Sequence, residues 1–181
     1  MRYGQPYITE RIGAVTISQT LSKVNKELED AKIISASNHV SRSTKVTWIN
    51  DKNTLSAFLT YAQAANKNAG WDFHIDRIEP LQYAEYSVGD EFGWHVDQHN
   101  KPYDDGRVRK ISFSIFLNSD FKGGEFDIEL GNPEQKKRYT TIDFKPNTAL
   151  FFQSDYWHRV RPIKSGVRRS LVGWVLGPKY K

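Results

Sequence analysis

Two hydrophobic periods divide the chain near residue 70. Before it, Leu21, Val24 and Leu28 recur at helical spacing behind Ser18, which predicts a capped helix from Ser18 to about Ala31. Leu55, Phe58, Leu59, Ala62 and Ala65 fall on one stripe, which predicts a second helix from about Lys52 to Asn68 with Gly70 as its stop. The polar stretch from Ser35 to Lys45 reads as a loop, and Val46, Trp48 and Ile49 as a short strand. Both helices are expected on the outside of a sheet. From Trp71 onward the period falls to two: Phe73 and Ile75, Leu81 and Tyr83, then Ile111, Phe113, Ile115 and Leu117 in clean alternation. Phe126, Ile128 and Leu130 follow, then Thr148 to Phe152 and Ser170 to Leu176. Short strands separated by turn signals predict a sandwich or barrel. The chain therefore reads as one domain over 1–181, with helical support at about 18–70 and a β core at about 71–178. No repeat, low-complexity segment or linker interrupts it.

Composition narrows the chemistry. A chain of 181 residues with ten Phe, nine Tyr and five Trp has enough apolar surface for one substantial core. No apolar run is long enough to span a bilayer, and Met1 to Pro6 lack the apolar centre of a secretory leader, so a cytoplasmic protein is expected. The absence of cysteine removes disulfides and thiolate metal sites; any metal must rest on His, Asp or Glu. A net charge of +5 and a pI near 9.3 permit an acidic partner. The basic residues are spread along the chain, however, and Lys136-Lys137-Arg138 reads as solvated surface, so nucleic acid is not the expected partner. A second concentration, Arg159, Arg161, Lys164, Arg168 and Arg169, overlaps the candidate chemistry.

That chemistry starts at His95-Val96-Asp97. Residues i and i+2 of an extended strand point to one face, so this imidazole and carboxylate can aim at one ion. His158, arriving from a distant strand, would complete two His and one carboxylate on one side of a metal. Such a set leaves coordination positions open on the other side, as suits a non-haem Fe(II) centre that activates oxygen. His99 and Glu91 are rival ligands by position, whereas His39 and His74 lie outside the constellation. A nearby Arg is a natural clamp for the far carboxylate of an organic diacid. Arg168 and Arg169 compete for that role. Alternation places Arg168 with Ser170, Val172 and Trp174 on one face, and Arg169 with Leu171 and Val175 on the other.

The wider context is more specific. Tyr86 to Trp94 leads into His95. Arg109 to Asn118 follows as an alternating strand, then Gly123-Gly124-Glu125-Phe126, His158-Arg159-Val160-Arg161-Pro162 and Gly166-Val167-Arg168-Arg169-Ser170. From about Leu81 to Leu176 these residues resemble the 2-oxoglutarate and Fe(II)-dependent oxygenases, in particular the prolyl 4-hydroxylase-like branch and its bacterial PKHD-type hydroxylases. The resemblance implies a mainly β fold with flanking α-helices, a double-stranded β-helix or jelly roll with the metal at its open end. It also implies His95, Asp97 and His158 as Fe(II) ligands, Arg168 as partner of the distal carboxylate of 2-oxoglutarate, and Ser170 and Tyr86 as further contacts to that co-substrate. Family spacing selects Arg168 over Arg169 and leaves His99 behind the ligands or in a loop.

The reaction so implied is dioxygenase hydroxylation of an unactivated C–H, with release of succinate and CO2 and with ascorbate as a reductant. A prolyl residue of a peptide or protein is the leading substrate; a free amino acid or other small molecule is the next. A cupin-like metal-binding protein without oxygenase activity is the rival reading. Trp174 stands where the nucleic-acid demethylating branch has a second Arg, and with Tyr103 it is expected to line the substrate pocket. Phe116 replaces a Tyr that some prolyl hydroxylases carry, so any hydroxyl contact from that position is missing. The 98–107 segment reads equally as a solvent loop or as a lid over substrate. Trp94 and Trp157, strand neighbours of ligands, are expected in core packing, and Gly123-Gly124 in a tight turn or close backbone approach.

Overall fold

A computed structural model describes residues 4–25, 27–31, 42–131, 136, 138–143 and 145–179. His39 and most of the loop expected at 35–45 lie outside the described residues. In chain order the elements begin with β1 (Tyr7–Arg11), α1 (Ala14–Leu21), β2 (Glu29–Asp30), β3 (Lys45–Ile49), α2 (Lys52–Asn68) and β4 (Arg77–Ile78). There follow β5 (Leu81–Tyr86), β6 (Phe92–His95), β7 (Arg107–Phe116), β8 (Lys122–Gly123) and β9 (Phe126–Glu129). The last are β10 (Tyr139–Ile142), β11 (Thr148–Gln153), β12 (His158–Val160), β13 (Ile163–Ser165) and β14 (Arg168–Pro178).

The larger sheet runs β1-β11-β7-β14-β5-β3-β2, with β4 pairing β14 from the side. The smaller runs β10-β9-β12-β6, and β13 pairs β8 separately. The pairings are antiparallel, as expected of a jelly roll. One core lies between helix and sheet. Asp51 caps α2 by accepting from the Thr54 N–H at 2.9 Å, and the buried stripe Phe58, Ala62 and Ala65 packs on Leu81, Ile111, Phe113, Ile115 and Phe151. Phe58 stacks on Phe113 with centroids 5.7 Å apart. The second core lies between the sheets, where Ala84, Tyr86, Phe116, Leu150 and Phe152 meet Phe126, Ile128, Ile142 and Val160. The central strands β5, β7, β11 and β14 of the larger sheet are thus covered on both faces. On β7, Ile111, Phe113 and Ile115 face the helix, while Ser112, Ser114 and Phe116 face the interior. Among the described residues no helix is long and apolar enough to cross a membrane.

Two expected elements differ. The first helix spans Ala14–Leu21 rather than Ser18 to Ala31. Beyond Leu21 the backbone has better local partners than a helix: the Ser22 hydroxyl donates to the Gln19 carbonyl at 2.7 Å, and the Glu27 N–H donates to the Asn25 side chain at 3.2 Å. Val24 and Leu28 then reach the core from irregular chain. At 71–76 no strand forms, although Phe73 and Ile75 do pack on the core. Asp72 has φ +51°, and the Asn66 side chain takes both backbone groups of Phe73, at 2.9 and 3.1 Å, in place of a neighbouring strand.

Candidate metal and diacid site

The end of the smaller sheet brings the three candidate ligands together. His95 closes β6 and His158 opens β12, and the two are direct cross-strand partners. Asp97 lies past the end of β6 in a turn, because its N–H and that of Gln98 both donate to the Ser154 carbonyl, at 3.0 and 2.9 Å. It still faces the side of His95. Its carboxylate stands 3.7 Å from His95 Nε2 and 3.5 Å from His158 Nε2, and the ligand atoms all lie within 4.8 Å of one another. Donors about 2.1 Å from one small cation lie no more than about 4.2 Å apart, and the 3.7 and 3.5 Å separations meet that limit.

Each imidazole is turned by its other nitrogen. His95 Nδ1 lies 2.8 Å from the Gly93 carbonyl and His158 Nδ1 lies 2.9 Å from the Tyr156 carbonyl. A carbonyl only accepts, so Nδ1 carries the proton and Nε2 offers its lone pair inward. Burial pushes His95 down to about 3, helped by the neighbouring His158, which keeps it neutral and metal-ready. Burial would raise Asp97, but His158, His95, Arg109 and the Ser112 hydroxyl outweigh it and hold the carboxyl at about 2. Neither His99 nor Glu91 joins the cluster; the His99 ring meets Tyr103 edge-on.

Arg168 starts β14, directly opposite Tyr86 on β5. It is 1% exposed, with its guanidinium 5.2 Å from the Tyr86 ring and 4.3 Å from the Phe116 ring. Nη1 donates to Ser170 Oγ at 3.1 Å, but Nε and Nη2 have no partner. Burial lowers it to about 10, so it remains cationic at neutral pH. A buried cation with two idle N–H groups and no ion-pair partner among the described residues is complementary to a carboxylate bound through two oxygens. Arg169 points outward and pairs with Glu85 at 3.1 Å. The glycine pair makes room for this arrangement. Gly124 has φ +65°, and a Cβ there would collide with the Ile163 side chain and lie 2.9 Å from Arg168 Cδ.

The ligands and Arg168 line one narrow cavity of about 40 Å³, together with Arg42, Gln82, Tyr86 and Trp174. A larger cavity of about 280 Å³, lined by Val96, His99, Asn100 and Lys179, contains none of the three ligands, so the donor set rather than size locates the chemistry. Trp174 lies in the wall of this narrow cavity. Tyr103 does not; its hydroxyl donates to Glu79 at 2.7 Å, and Glu79 in turn binds Arg109, which lies over the Trp174 ring at 4.1 Å. The 98–107 segment is also tied at its far end, by Arg77–Asp105 at 2.6 Å and Arg107–Asp76 at 2.8 Å.

Trp94 and Trp157 correct another expectation. Both point away from the ligands, but that face of the small sheet is open. Trp157 is 49% exposed, and Trp94 is half-buried under Arg159 and beside Tyr139. Arg42, which lines the cavity, and Arg109, which lies behind it on Trp174 and the Asp97 carbonyl, have no role in the sequence reading. Arg42 occurs in a polar stretch with no local signal. Arg109 would share the helix-covered face of Ile111 by simple alternation, but a bulge opposite Val175/Leu176 shifts its phase.

The sequence model of the 2OG-Fe(II) oxygenase superfamily matches residues 81–176. A PKHD-type hydroxylase of Synechococcus sp. (strain CC9902) is 36% identical over 105 residues, covering 56% of this chain and 43% of the relative. A second PKHD-type hydroxylase, of Synechococcus elongatus, is 29% identical over 175 residues, covering 91% and 76%. The chain thus spans less than half the length of the first of these relatives. In fold it is similar to a Pseudomonas putida prolyl-4-hydroxylase, with TM-score 0.68, 20% identity and coverage of 94% and 91%. It is likewise similar to a Trichoplax adhaerens prolyl hydroxylase solved with a hypoxia inducible factor peptide fragment, with TM-score 0.69, 19% identity and coverage of 94% and 83%. These likenesses carry the double-stranded β-helix fold; the match over more than half of the sequence, with the three ligand candidates and Arg168 inside it, places the chain in the 2OG-Fe(II) oxygenase superfamily.

Proposed function

We propose that this chain is a dioxygenase that holds Fe(II) through His95, Asp97 and His158 and 2-oxoglutarate through Arg168, and that it hydroxylates an unactivated C–H of a prolyl residue in a peptide or protein. The observation that carries the reading is the buried Arg168 guanidinium, with two unpartnered N–H groups in the cavity that holds the three ligand atoms. A metal site alone has no need of it. When bound, the iron and diacid supply oxygen activation coupled to decarboxylation, with succinate and CO2 as products.

The protein's own work is positional. Gly93 and Tyr156 fix the imidazole tautomers through their carbonyls. Ser170 orients Arg168 from below, and Tyr86 and Phe116 keep water from its faces. Tyr86 offers its hydroxyl to the same diacid. Phe92, stacked on His95 at 3.5 Å, and Phe126, stacked on His158 at 5.5 Å, hold the rings in place. The prolyl class rests on the names of the similar proteins, PKHD-type hydroxylases and prolyl hydroxylases. Ascorbate serves as the reductant, and the chemistry takes place in the cytoplasm.

The test is anaerobic addition of Fe(II) and 2-oxoglutarate, followed for the visible charge-transfer band of the chelated pair, then oxygen and a succinate assay with proline-containing peptides. Band and succinate together support the oxygenase. Folded protein that gives neither is a cupin-like metal-binding barrel instead.

A further inference from the structure

Arg168 is not the only guanidinium that lines the cavity; the partly buried Arg42 does so too. Arg42 reaches it from outside the named strands through an isolated bridge to Phe92. Its guanidinium lies 4.5 Å over the Phe92 ring, and that ring stacks on the iron-ligand candidate His95, so Arg42 sits one aromatic ring away from the metal position. Nη2 donates to Gln82 Oε1 at 2.6 Å, but Nε is buried with no partner. Among the described residues no carboxylate pairs with it. Trp174 lines the same cavity and also has a buried, unpartnered Nε1–H. Unpartnered donors therefore remain on three residues of the cavity wall, Arg168, Arg42 and Trp174.

Charge counting separates them. Arg109 is neutralised by Glu79 at 2.6 Å, so it drops out. A divalent metal and a doubly charged diacid cancel each other, and Asp97 offsets one of the two remaining guanidiniums. One positive charge is left without an anion in a desolvated site, which is costly unless a further ligand brings the missing charge. We propose that Arg42, held by Gln82 and assisted by the Trp174 indole N–H, is a second anion site that binds a carboxylate on the very residue to be hydroxylated. The preferred substrate is then a free amino acid or the C-terminal residue of a peptide, rather than a residue inside a chain. This rests on the oxygenase reading above and shifts its substrate from a residue inside a chain to one that carries its own carboxylate. Burial lowers Arg42, and the neighbouring Tyr86 and Asp97 offset that only in part.

The experiment is a titration followed by tryptophan fluorescence, in protein loaded anaerobically with Fe(II) and 2-oxoglutarate. Three probes are compared: L-proline, acetyl-Gly-Pro with its free carboxylate, and acetyl-Gly-Pro amide. The proposal expects at least one carboxylate probe to bind about tenfold to a hundredfold more tightly than the amide, as a charge-assisted contact gives. The free amino acid and the capped dipeptide tell which source the site prefers. Arg42→Gln should abolish the preference while leaving the charge-transfer band intact, which also shows that the variant is folded; Arg42→Lys should restore part of it. Equal binding of carboxylate and amide by the wild type overturns the proposal, as does a preference that survives Arg42→Gln. Loss of the band in folded Arg42→Gln would assign Arg42 to the diacid instead, and also overturns it. If the wild type gives no band, the oxygenase reading has failed on its own. The same titration of metal-free protein then decides the anion site, with the preference expected to survive Arg168→Gln and to vanish in Arg42→Gln.

Discussion

His95 and His158 are direct partners across two antiparallel strands, with ring centroids 4.1 Å apart. Strand pairing, not a loop, thus sets the spacing of the two imidazoles, and Asp97 is the ligand added by a turn. His158→Ala leaves the β12 backbone ladder intact and removes one of three donors. We expect metal affinity to fall by more than about a hundredfold, beyond the usual effect of losing a group that merely supports a ligand. Equilibrium dialysis against Fe(II) or Mn(II) checks this, with circular dichroism as the control for folding. Affinity within a few-fold of wild type would put the third ligand elsewhere.

Arg168 and Arg169 are sequence neighbours with opposite surroundings, one sealed between Tyr86 and Phe116 and one outside on Glu85. Truncating the buried partner of a charge-assisted pair costs about 2–5 kcal/mol, which is roughly thirtyfold or more in 2-oxoglutarate affinity for Arg168→Ala. Losing a surface ion pair costs about 1 kcal/mol or less in stability, so Arg169→Ala should leave the affinity within about twofold. A titration of the charge-transfer band measures both. Equal losses from the two variants would show that the inward arginine is not the diacid clamp.

The contrast shows which features a linear pattern can carry. Alternation separated the two arginines because β14 runs regularly from Arg168 past Ser170, and the stripe of α2 was readable because its cap at Asp51 and its stop at Gly70 agree with it. The readings failed where a distant or local side chain overrules the period. Asn66 claims the backbone of Phe73, Ser22 and Asn25 end the α1 pattern, and a bulge turns Arg109 from the helix face onto Trp174 and Glu79. Arg42 owes its place to a bridge with Phe92, fifty positions on, and no local pattern marks such a residue. Tyr103 was expected in the pocket, but Glu79 and Arg109 stand between it and Trp174.

Gly124 connects backbone conformation to the diacid site. Its φ of +65° is uncomfortable for any side chain, and a methyl group there would press on Ile163 and on Arg168 Cδ. We expect Gly124→Ala to cost about 2 kcal/mol or more of stability and to weaken 2-oxoglutarate binding by displacing Arg168. Thermal unfolding gives the first effect and the charge-transfer titration the second. Destabilisation with full 2-oxoglutarate affinity would show that Arg168 accommodates the methyl group by other rotamers.

Asp127 anchors the other side of the small sheet. Its buried carboxylate accepts from Arg159 at 2.7 Å, from Arg161 at 2.8 and 3.0 Å, and from the Thr141 hydroxyl at 2.7 Å. Burial alone would raise its pKa, but the bonds from Arg161, Thr141 and Arg159 prevail and hold it below the usual carboxylate value. The unfolded chain therefore binds the proton first as pH falls. The stabilisation is complete above about pH 4, the unfolded value, and is lost as pH drops toward the lower folded value. Asp127→Asn should cost about 2–3 kcal/mol at neutral pH, less than a fully buried pair because both arginines are partly solvated. It should also make the stability curve less steep below about pH 4. Denaturant unfolding at a series of pH values measures both. The fold places this cluster on the solvent side of β9 and β12, so metal affinity at neutral pH should be unchanged in the variant; a parallel loss of metal binding would mean that the arginine clamp also sets the position of His158.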